Sequence, residues 1–152
     1  MNIEHWPPPV EENPFHIMSQ MKNGMLHLVQ IRLKEADIDL SMEGFISMIH
    51  IRHLDGMHQT QLAETVGRDK PSVTRTLDGL EKRGWVRRNV DPDDRRSHLL
   101  GLTDEGKRIL ELAEPYVREI ITQIFEPISD ADYQVFLSVL STLRHQIESL
   151  EA

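Results

Sequence analysis

Cysteine is absent from the 152 residues of this chain. Without thiols the protein forms no disulfide, no thiolate metal site and no thiol nucleophile, and it cannot sense peroxide through a thiol. The chain also lacks any run of about 18 apolar residues, the length that a membrane-spanning helix needs. Its first residues show neither the basic flank nor the apolar stretch of a signal peptide. We therefore expect a soluble, cytoplasmic protein with an ordinary hydrophobic core.

Sequence motifs of common enzyme classes are absent as well. The chain contains no GxSxG or HExxH motif, no phosphate-binding loop and no dinucleotide-binding glycine pattern. A catalytic site would need a convergent set of titratable side chains, and the sequence gives no sign of one. We expect a protein that is not an enzyme and that has no cofactor.

The charge balance is acidic, with 25 Asp and Glu residues against 17 Lys and Arg residues and a net charge of -8. This balance by itself argues against DNA, whose phosphates are bound mainly by Lys and Arg. The basic residues are concentrated, however. Positions 68–96 hold nine basic and six acidic residues, whereas the rest of the chain holds eight basic and nineteen acidic residues. A basic segment in an acidic chain is typical of a protein that binds DNA with one face.

Hydrophobic periodicity divides the first half of the chain into an arm and helices. Residues 1–13 contain three consecutive prolines and predict an extended arm. Apolar residues at every third or fourth position predict a helix over about 14–35 and a second helix capped by Ser41. Thr60 predicts the cap of a short third helix over 61–66. Pro71 suits the first turn of a fourth helix, which Gly84 ends.

The second half of the chain begins with two predicted strands. Residues 85–90 and 97–102 alternate in polarity and flank a charged, turn-rich tip, which together form a wing. Thr103 caps the next predicted helix, which Pro115 should kink or divide. Ser129 caps a last helix. Its apolar positions are spaced as in a coiled-coil seam, although an ordinary core stripe has the same pattern: Tyr133, Phe136, Leu140, Leu143, Ile147 and Leu150.

The fourth helix and the wing carry side chains that suit DNA. If Val73 points to the core, the opposite face of the helix carries polar and small residues: Pro71, Ser72, Arg75, Gly79 and Lys82, flanked by Thr74 and Asp78. Hydroxyl groups bond phosphates or bases, and arginine binds a guanine edge through two hydrogen bonds. At the wing tip, Arg95 and Arg96 suit a narrow minor groove, and Asp94 beside them would orient an arginine by a salt bridge.

These segments resemble the MarR family of winged helix-turn-helix transcriptional regulators, and especially its SlyA-like branch. The resemblance is specific, and it covers nearly the whole chain after the arm. It lies in Gln-Leu-Ala at 61–63, Asp-Lys-Pro-Ser-Val-Thr-Arg-Thr-Leu at 69–77 and Leu-Glu-Lys-Arg-Gly-Trp-Val at 80–86. It continues in Asp-Arg-Arg-Ser at 94–97 and Leu-Thr-Asp-Glu-Gly at 102–106.

The resemblance implies a mainly α fold with a small β-wing, in which N- and C-terminal helices form a homodimer. The corresponding regions are the arm at 1–13, a dimerisation helix at 14–40, the winged helix-turn-helix at 41–103 and dimerisation helices at 104–152, all within one structural domain. It further implies binding to pseudo-palindromic double-stranded DNA, and repression that a small ligand such as an aromatic acid relieves. The DNA-binding residues would be Lys70, Pro71, Ser72, Thr74, Arg75, Arg95 and Arg96, with Asp94 orienting the wing.

Two alternative functions remain open at this stage. A winged helix can bind a protein instead of DNA, because the fold alone does not specify the partner. A zinc-responsive regulator could use His50, His53 and His58, since the first two share a helix face. The histidines lack a complete set of metal ligands in the sequence, so we expect no metal site.

Overall fold

The computed structural model describes residues 9–94 and 97–151. A short 3-10 turn, Val10–Glu12, lies in the predicted arm, so this part of the arm is not extended. The helices and strands that follow are α1 Pro14–Glu35, α2 Met42–His53, β1 Met57–His58, α3 Gln59–Val66, α4 Lys70–Lys82, β2 Val86–Val90, β3 His98–Leu102, α5 Asp104–Phe125 and α6 Asp130–Glu151. The expected fold class, mainly α with a small β-wing, is confirmed.

The chain divides into two compact units, one that ends at Arg118 and one that begins at Glu119. The first unit contains the winged helix-turn-helix and the second contains α6. Our division into an arm, dimerisation helices and a DNA-binding region stays a prediction. No helix among the described residues is long and apolar enough to span a membrane.

Three helices, α2, α5 and α6, begin at the side-chain caps that the sequence predicts. Ser41 Oγ accepts a hydrogen bond from the Gly44 N–H at 3.1 Å. Thr103 Oγ1 accepts one from the Gly106 N–H at 3.0 Å. Ser129 Oγ accepts one from the Asp132 N–H at 3.2 Å. Each cap satisfies a backbone donor that has no partner within its helix.

The prediction that Thr60 caps α3 is wrong. The cap residue is His58, and α3 begins at Gln59. The His58 N–H donates to Gln61 Oε1 at 2.8 Å, which fixes the first turn. No local signal marks this start, because His58 also ends β1, a strand of only two residues whose pairing partner lies about 40 positions away in the sequence.

The three strands form an antiparallel sheet in the order β1-β3-β2. β2 and β3 pair along their whole length, from Val86 opposite Leu102 to Val90 opposite His98, and they form the wing. β1 adds Met57 opposite Leu100 and His58 opposite Leu99. The sheet therefore attaches the wing to the residue that starts α3.

The core of the first unit is formed by buried apolar side chains from its helices and its sheet. Its fully buried side chains include Leu33, Leu40, Met48, Ile51, Leu62, Leu77, Leu100 and Leu110. α4 contributes Val73, Leu77 and Leu80, the face that the sequence predicts. It packs against α2, α3 and β2. This packing fixes which side of α4 faces away from the core.

Pro115 does not divide α5, so the prediction of a division is wrong, whereas a kink at Pro115 stays a prediction. The helix runs without interruption from Asp104 to Phe125. Glu114, the residue before the proline, forms an ion pair with Arg52 at the end of α2. The hydrogen bond from Arg52 lowers the pKa of Glu114, so the pair stays charged. This bond, together with burial of Ala113 and Val117, offsets the backbone hydrogen bond that the proline removes.

Gly106 in the first turn of α5 allows the helix to pack closely against the start of the wing. A Cβ atom at this position would lie 1.9 Å from the Trp85 carbonyl oxygen. That oxygen already accepts the Thr103 N–H at 3.0 Å, so the contact belongs to the junction between α5 and the wing.

We therefore expect Gly106→Ala to lower the free energy of unfolding by about 1–3 kcal/mol, because the backbone must shift to admit the methyl group. Urea denaturation followed by circular dichroism measures the change. The matched control is Gly24→Ala in α1, where an added Cβ meets no atom within 4 Å. Equal stability of the two variants would contradict the prediction.

Candidate nucleic-acid interface

The start of α4 is fixed by Asp69. Its Oδ1 accepts a hydrogen bond from the Ser72 N–H at 2.9 Å. That bond lowers the pKa of Asp69, with smaller contributions that include the Ser72 hydroxyl and the charge of Arg75. Pro71 occupies the first turn of the helix, as predicted, where it needs no hydrogen-bond donor. The cap and the proline set the position at which the exposed face of α4 begins.

The exposed face of α4 carries most of the side chains that the sequence predicts for DNA contact. Lys70, Pro71, Arg75, Gly79 and Lys82 are exposed, whereas Ser72 and Thr74 are half-buried. Arg75 Nη2 donates to Ser72 Oγ at 3.0 Å, so the structure brings these two predicted contact residues together. The guanidinium keeps further N–H groups for an external acceptor, because arginine has five N–H donors.

Ion pairs within the protein reduce the number of basic residues that can meet a polyanion. Arg83 binds Asp39 Oδ2 at 2.6 Å and lies over the Trp85 ring. Arg88 binds Asp78 at 2.8 Å and also contacts Glu81. Arg68 binds Glu43 at 3.4 Å.

Within the described part of the basic segment 68–96, most of the basic residues that form no ion pair lie on α4. Within 9–94 and 97–151, no ion pair forms at Lys70, Arg75, Lys82 or Arg87. The first three belong to α4, whereas Arg87 lies on β2 close to Gly101. Arg88 also compensates the charge of Asp78 on the flank of α4. The charge that this segment offers to DNA is therefore smaller than the sequence count suggests, and α4 carries most of it among the described residues.

Thr74 is held by Gln59, a residue that the sequence analysis missed. Gln59 Nε2 donates to Thr74 Oγ1 at 2.7 Å, and Thr74 Oγ1 donates to the Lys70 carbonyl at 2.9 Å. The hydroxyl of Thr74 therefore uses its donor and one acceptor position inside the protein. No local signal marks Gln59, because its partner lies 15 residues away on another helix.

The wing tip is only partly described. Arg95 and Arg96 lie outside the described residues, so their predicted minor-groove contacts stay predictions. The Asp94 carbonyl accepts the Ser97 N–H at 2.8 Å, and the Asp91 N–H donates to the Ser97 carbonyl at 3.1 Å. These bonds close the tip loop. The predicted role of the Asp94 side chain in orienting an arginine stays a prediction.

The three histidines proposed as zinc ligands occupy different surroundings. His50 and His53 lie in the last turn of α2, whereas His58 lies at the end of β1. The His58 ring interacts with Asp91 and Ser97 of the wing. In the part of the chain that the structure describes, no group of three or more His, Asp or Glu residues could hold a metal ion. The zinc hypothesis therefore gains no geometric support.

Gly79 lies on the exposed face of α4, where an added Cβ meets no protein atom within 4 Å. We expect Gly79→Ala to raise the free energy of unfolding by about 0.5–1 kcal/mol, because alanine favours a helix interior over glycine. If this face enters a major groove, the same methyl group should weaken operator binding. Urea denaturation and DNA titration test the two effects separately, and an alanine variant with unchanged affinity would show that no DNA approaches position 79 closely.

The chain is similar to known proteins both in sequence and in fold. The family model described as "MarR family" matches residues 40–98. The transcriptional repressor CouR bound to a 23-mer DNA duplex is 26% identical, with 95% of this chain and 98% of that chain covered and a TM-score of 0.80. A MarR-family transcriptional regulator from Rhodococcus sp. RHA1 is also 26% identical, with 90% of each chain covered and a TM-score of 0.69.

The PcaV transcriptional regulator from Streptomyces coelicolor, in complex with its natural ligand, shares the fold. It is 19% identical, with 93% of this chain and 98% of that chain covered and a TM-score of 0.78. None of these matches distinguishes the SlyA-like branch from other branches, so that part of the resemblance stays a prediction.

Proposed function

We propose that the protein is a MarR-family transcriptional regulator that binds specific DNA sequences as a homodimer, because the MarR family model matches residues 40–98 and the fold is similar to that of a solved MarR-family regulator. The observation that carries the proposal is the exposed face of α4. It presents Lys70, Arg75 and Lys82 without internal ion pairs among the described residues, in a chain of net charge -8. CouR, a similar protein, is a transcriptional repressor that has been seen with a DNA duplex.

The residues of α4 would divide between phosphates and bases. Lys70 and Pro71 lie in the first turn, where the lysine would meet a phosphate oxygen and the proline, which has no N–H donor, would contribute apolar contact. Arg75 and Ser72 lie further along the exposed face and would meet base edges in the major groove. Thr74 would contact the DNA beside these two residues. The wing would add Arg95 and Arg96 in the minor groove, with Asp94 orienting an arginine.

A homodimer would cover apolar surface that the single chain leaves exposed. Exposed apolar residues occur on α1, including Ile17, Met18, Met21, Leu28 and Ile31. They also occur on α6, where Leu143, Ile147 and Leu150 continue the predicted seam. Large apolar surfaces of this kind mark sites of association in soluble proteins. We therefore assign 14–40 and 104–152 to dimerisation and 41–103 to DNA.

A small-molecule effector would control DNA binding, and we propose repression that the ligand relieves. The PcaV structure, which contains a natural ligand, is consistent with an effector in this fold. An aromatic acid is the class that the family resemblance favours. We further propose that the protein acts in the cytoplasm and has no catalytic activity.

Selection from a random DNA library with the purified protein tests the proposal. We expect enrichment of a pseudo-palindrome whose half-sites lie one helical turn, about 34 Å, apart, and a homodimer by light scattering. Titrations of the selected site at several salt concentrations should show affinity that falls as salt rises. A library that yields no enriched sequence would overturn the proposed function.

A further inference from the structure

We propose that His58 and Gln59, adjacent residues at the junction of β1 and α3, are positioning residues that fix α4 and the wing relative to one another. The inference rests on the proposed DNA-binding function, because it concerns the two elements that would contact DNA. Neither residue belongs to the predicted DNA-contacting set. Their side chains bond to different elements, Gln59 to α4 and His58 to the wing.

The Gln59 side chain attaches this junction to α4. Its amide donates to Thr74 Oγ1 at 2.7 Å, and the Thr74 hydroxyl in turn donates a hydrogen bond to the Lys70 carbonyl at 2.9 Å. Gln59 and Thr74 are both half-buried, so water competes less for this bond than for a bond on the open surface. The bond therefore fixes the N-terminal half of α4, which carries Ser72 and Arg75.

The His58 side chain attaches the same junction to both ends of the wing tip. His58 Nδ1 lies 3.0 Å from Ser97 Oγ, and His58 Nε2 lies 3.5 Å from Asp91 Oδ2. Asp91 directly follows β2, and Ser97 directly precedes β3. The Asp91 side chain is buried and accepts the Asp93 N–H at 2.8 Å. The imidazole thus contacts the point at which the tip loop leaves the sheet.

The backbone of the junction is itself held in place. His58 is paired with Leu99 of β3, and its N–H donates to Gln61 Oε1. The two Cα atoms are separated by a single peptide bond, about 3.8 Å. A shift of the wing relative to α4 must therefore break the contacts of one of the two side chains. Elements that are already ordered lose less freedom on binding, which favours a tight and selective complex.

If the two residues have this positioning role, replacing either one should reduce the selectivity for the operator over random DNA, and not only the stability of the fold. Gln59→Leu and His58→Leu should each weaken binding to the selected operator roughly tenfold in the dimer, where each substitution acts twice. Binding to random-sequence DNA should change by less than about twofold, because that binding depends mainly on charge. His58→Gln should restore operator affinity, because an amide supplies a donor and an acceptor, as neutral imidazole does.

Double-mutant cycles locate each effect. In a Thr74→Val background Gln59→Leu should cost little, and in a Ser97→Ala background His58→Leu should cost less than it does in the wild type. The control for the hydroxyl variants is Thr65→Val, because Thr65 Oγ1 donates to the Gln61 carbonyl at 2.8 Å but lies exposed on α3. His53→Leu, at the exposed end of α2, is the control for the imidazole.

The outcomes separate the two proposals. Fluorescence anisotropy with labelled operator and random DNA measures both affinities, and urea denaturation checks the fold. Equal losses on the two DNAs, additive costs in the cycles, or no rescue by His58→Gln would overturn the positioning role. A wild-type protein that does not distinguish the operator from random DNA would overturn the proposed function itself. If the leucine variants do not fold, Ser97→Ala tests the contact between His58 and the wing. A ratio of operator affinity to random-DNA affinity equal to that of the wild type would overturn the role of His58.

Discussion

Replacing Arg75 by alanine is expected to weaken binding to the best operator by about 1–3 kcal/mol at each half-site, and so by about twice that in the dimer. Arg75 lies on the exposed face of α4 with its guanidinium held by Ser72 Oγ, and no carboxylate among the described residues pairs with it. Loss of a two-bond contact to guanine should also relax the preference at one base pair in each half-site. Binding to random DNA should change less.

The control variant for this prediction is Arg108→Ala. Arg108 is also an exposed helical arginine bonded to a side chain three residues before it, since its Nη2 donates to Glu105 Oε1 at 2.7 Å. It lies on α5 and should leave operator binding unchanged. Arg75→Lys keeps the charge but removes the planar guanidinium group, which can form two hydrogen bonds to one guanine. This variant should therefore retain binding to random DNA and lose selectivity for the operator.

The wing arginine should behave differently from Arg75. Arg96→Ala should weaken binding most where an A·T-rich minor groove flanks the major-groove contact. It should also make the affinity for DNA depend less steeply on salt concentration. Titration of both variants against a series of operator base substitutions at several salt concentrations distinguishes the roles. Identical, uniform losses from Arg75→Ala and Arg96→Ala would show that neither arginine specifies sequence.

Introducing aspartate at Leu143 and Ile147 together is expected to convert the dimer to a monomer and to lower operator affinity at least about a hundredfold. The two side chains are 49% and 55% exposed in the single chain and lie four residues apart on α6. Carboxylates buried in an apolar interface lose hydration without gaining partners. A monomer would then present one copy of α4, and the gain from binding two linked half-sites would be lost.

The control for the dimer variant is Val139→Asp, which lies on α6 outside the predicted seam and is 51% exposed. Light scattering gives the mass of each variant, and circular dichroism checks that the helices remain. We expect the Val139 variant to stay dimeric and to bind the operator better than the double variant. A dimeric double variant with full operator affinity would show that this stripe is not the association surface.

Several features of the fold follow from local sequence because their physical causes are local. The sequence correctly predicts caps at Ser41, Thr103 and Ser129, because each hydroxyl bonds a backbone N–H three residues later. The buried face of α4 follows from the spacing of Val73, Leu77 and Leu80. Once these residues face the core, the helix geometry places Arg75 on the outside, so this candidate contact could be found without coordinates.

Features that depend on distant partners could not be predicted in the same way. The sequence predicts Thr60 as the cap of α3, whereas the cap is His58, because β1 exists only through its pairing with β3. The sequence predicts that Pro115 kinks or divides α5, and the structure excludes the division: the helix is continuous where Arg52 pairs with Glu114 beside the proline. In both cases a tertiary contact outweighs a local preference, as is common for short strands and for packed helices.

The sequence by itself determined the order of the helices and the wing, the face of α4 that points outward and the resemblance to a family, because periodicity, caps and motifs act over a few neighbouring residues. Only the tertiary structure decided which charges remain available. Arg83 and Arg88 count as basic in the sequence, yet each is paired with a carboxylate that folding brings to it. Folding likewise placed Gln59 on Thr74 and His58 between Asp91 and Ser97. A hydrogen bond or an ion pair requires two groups at a set distance, and for groups far apart in the chain only the packed core fixes that distance.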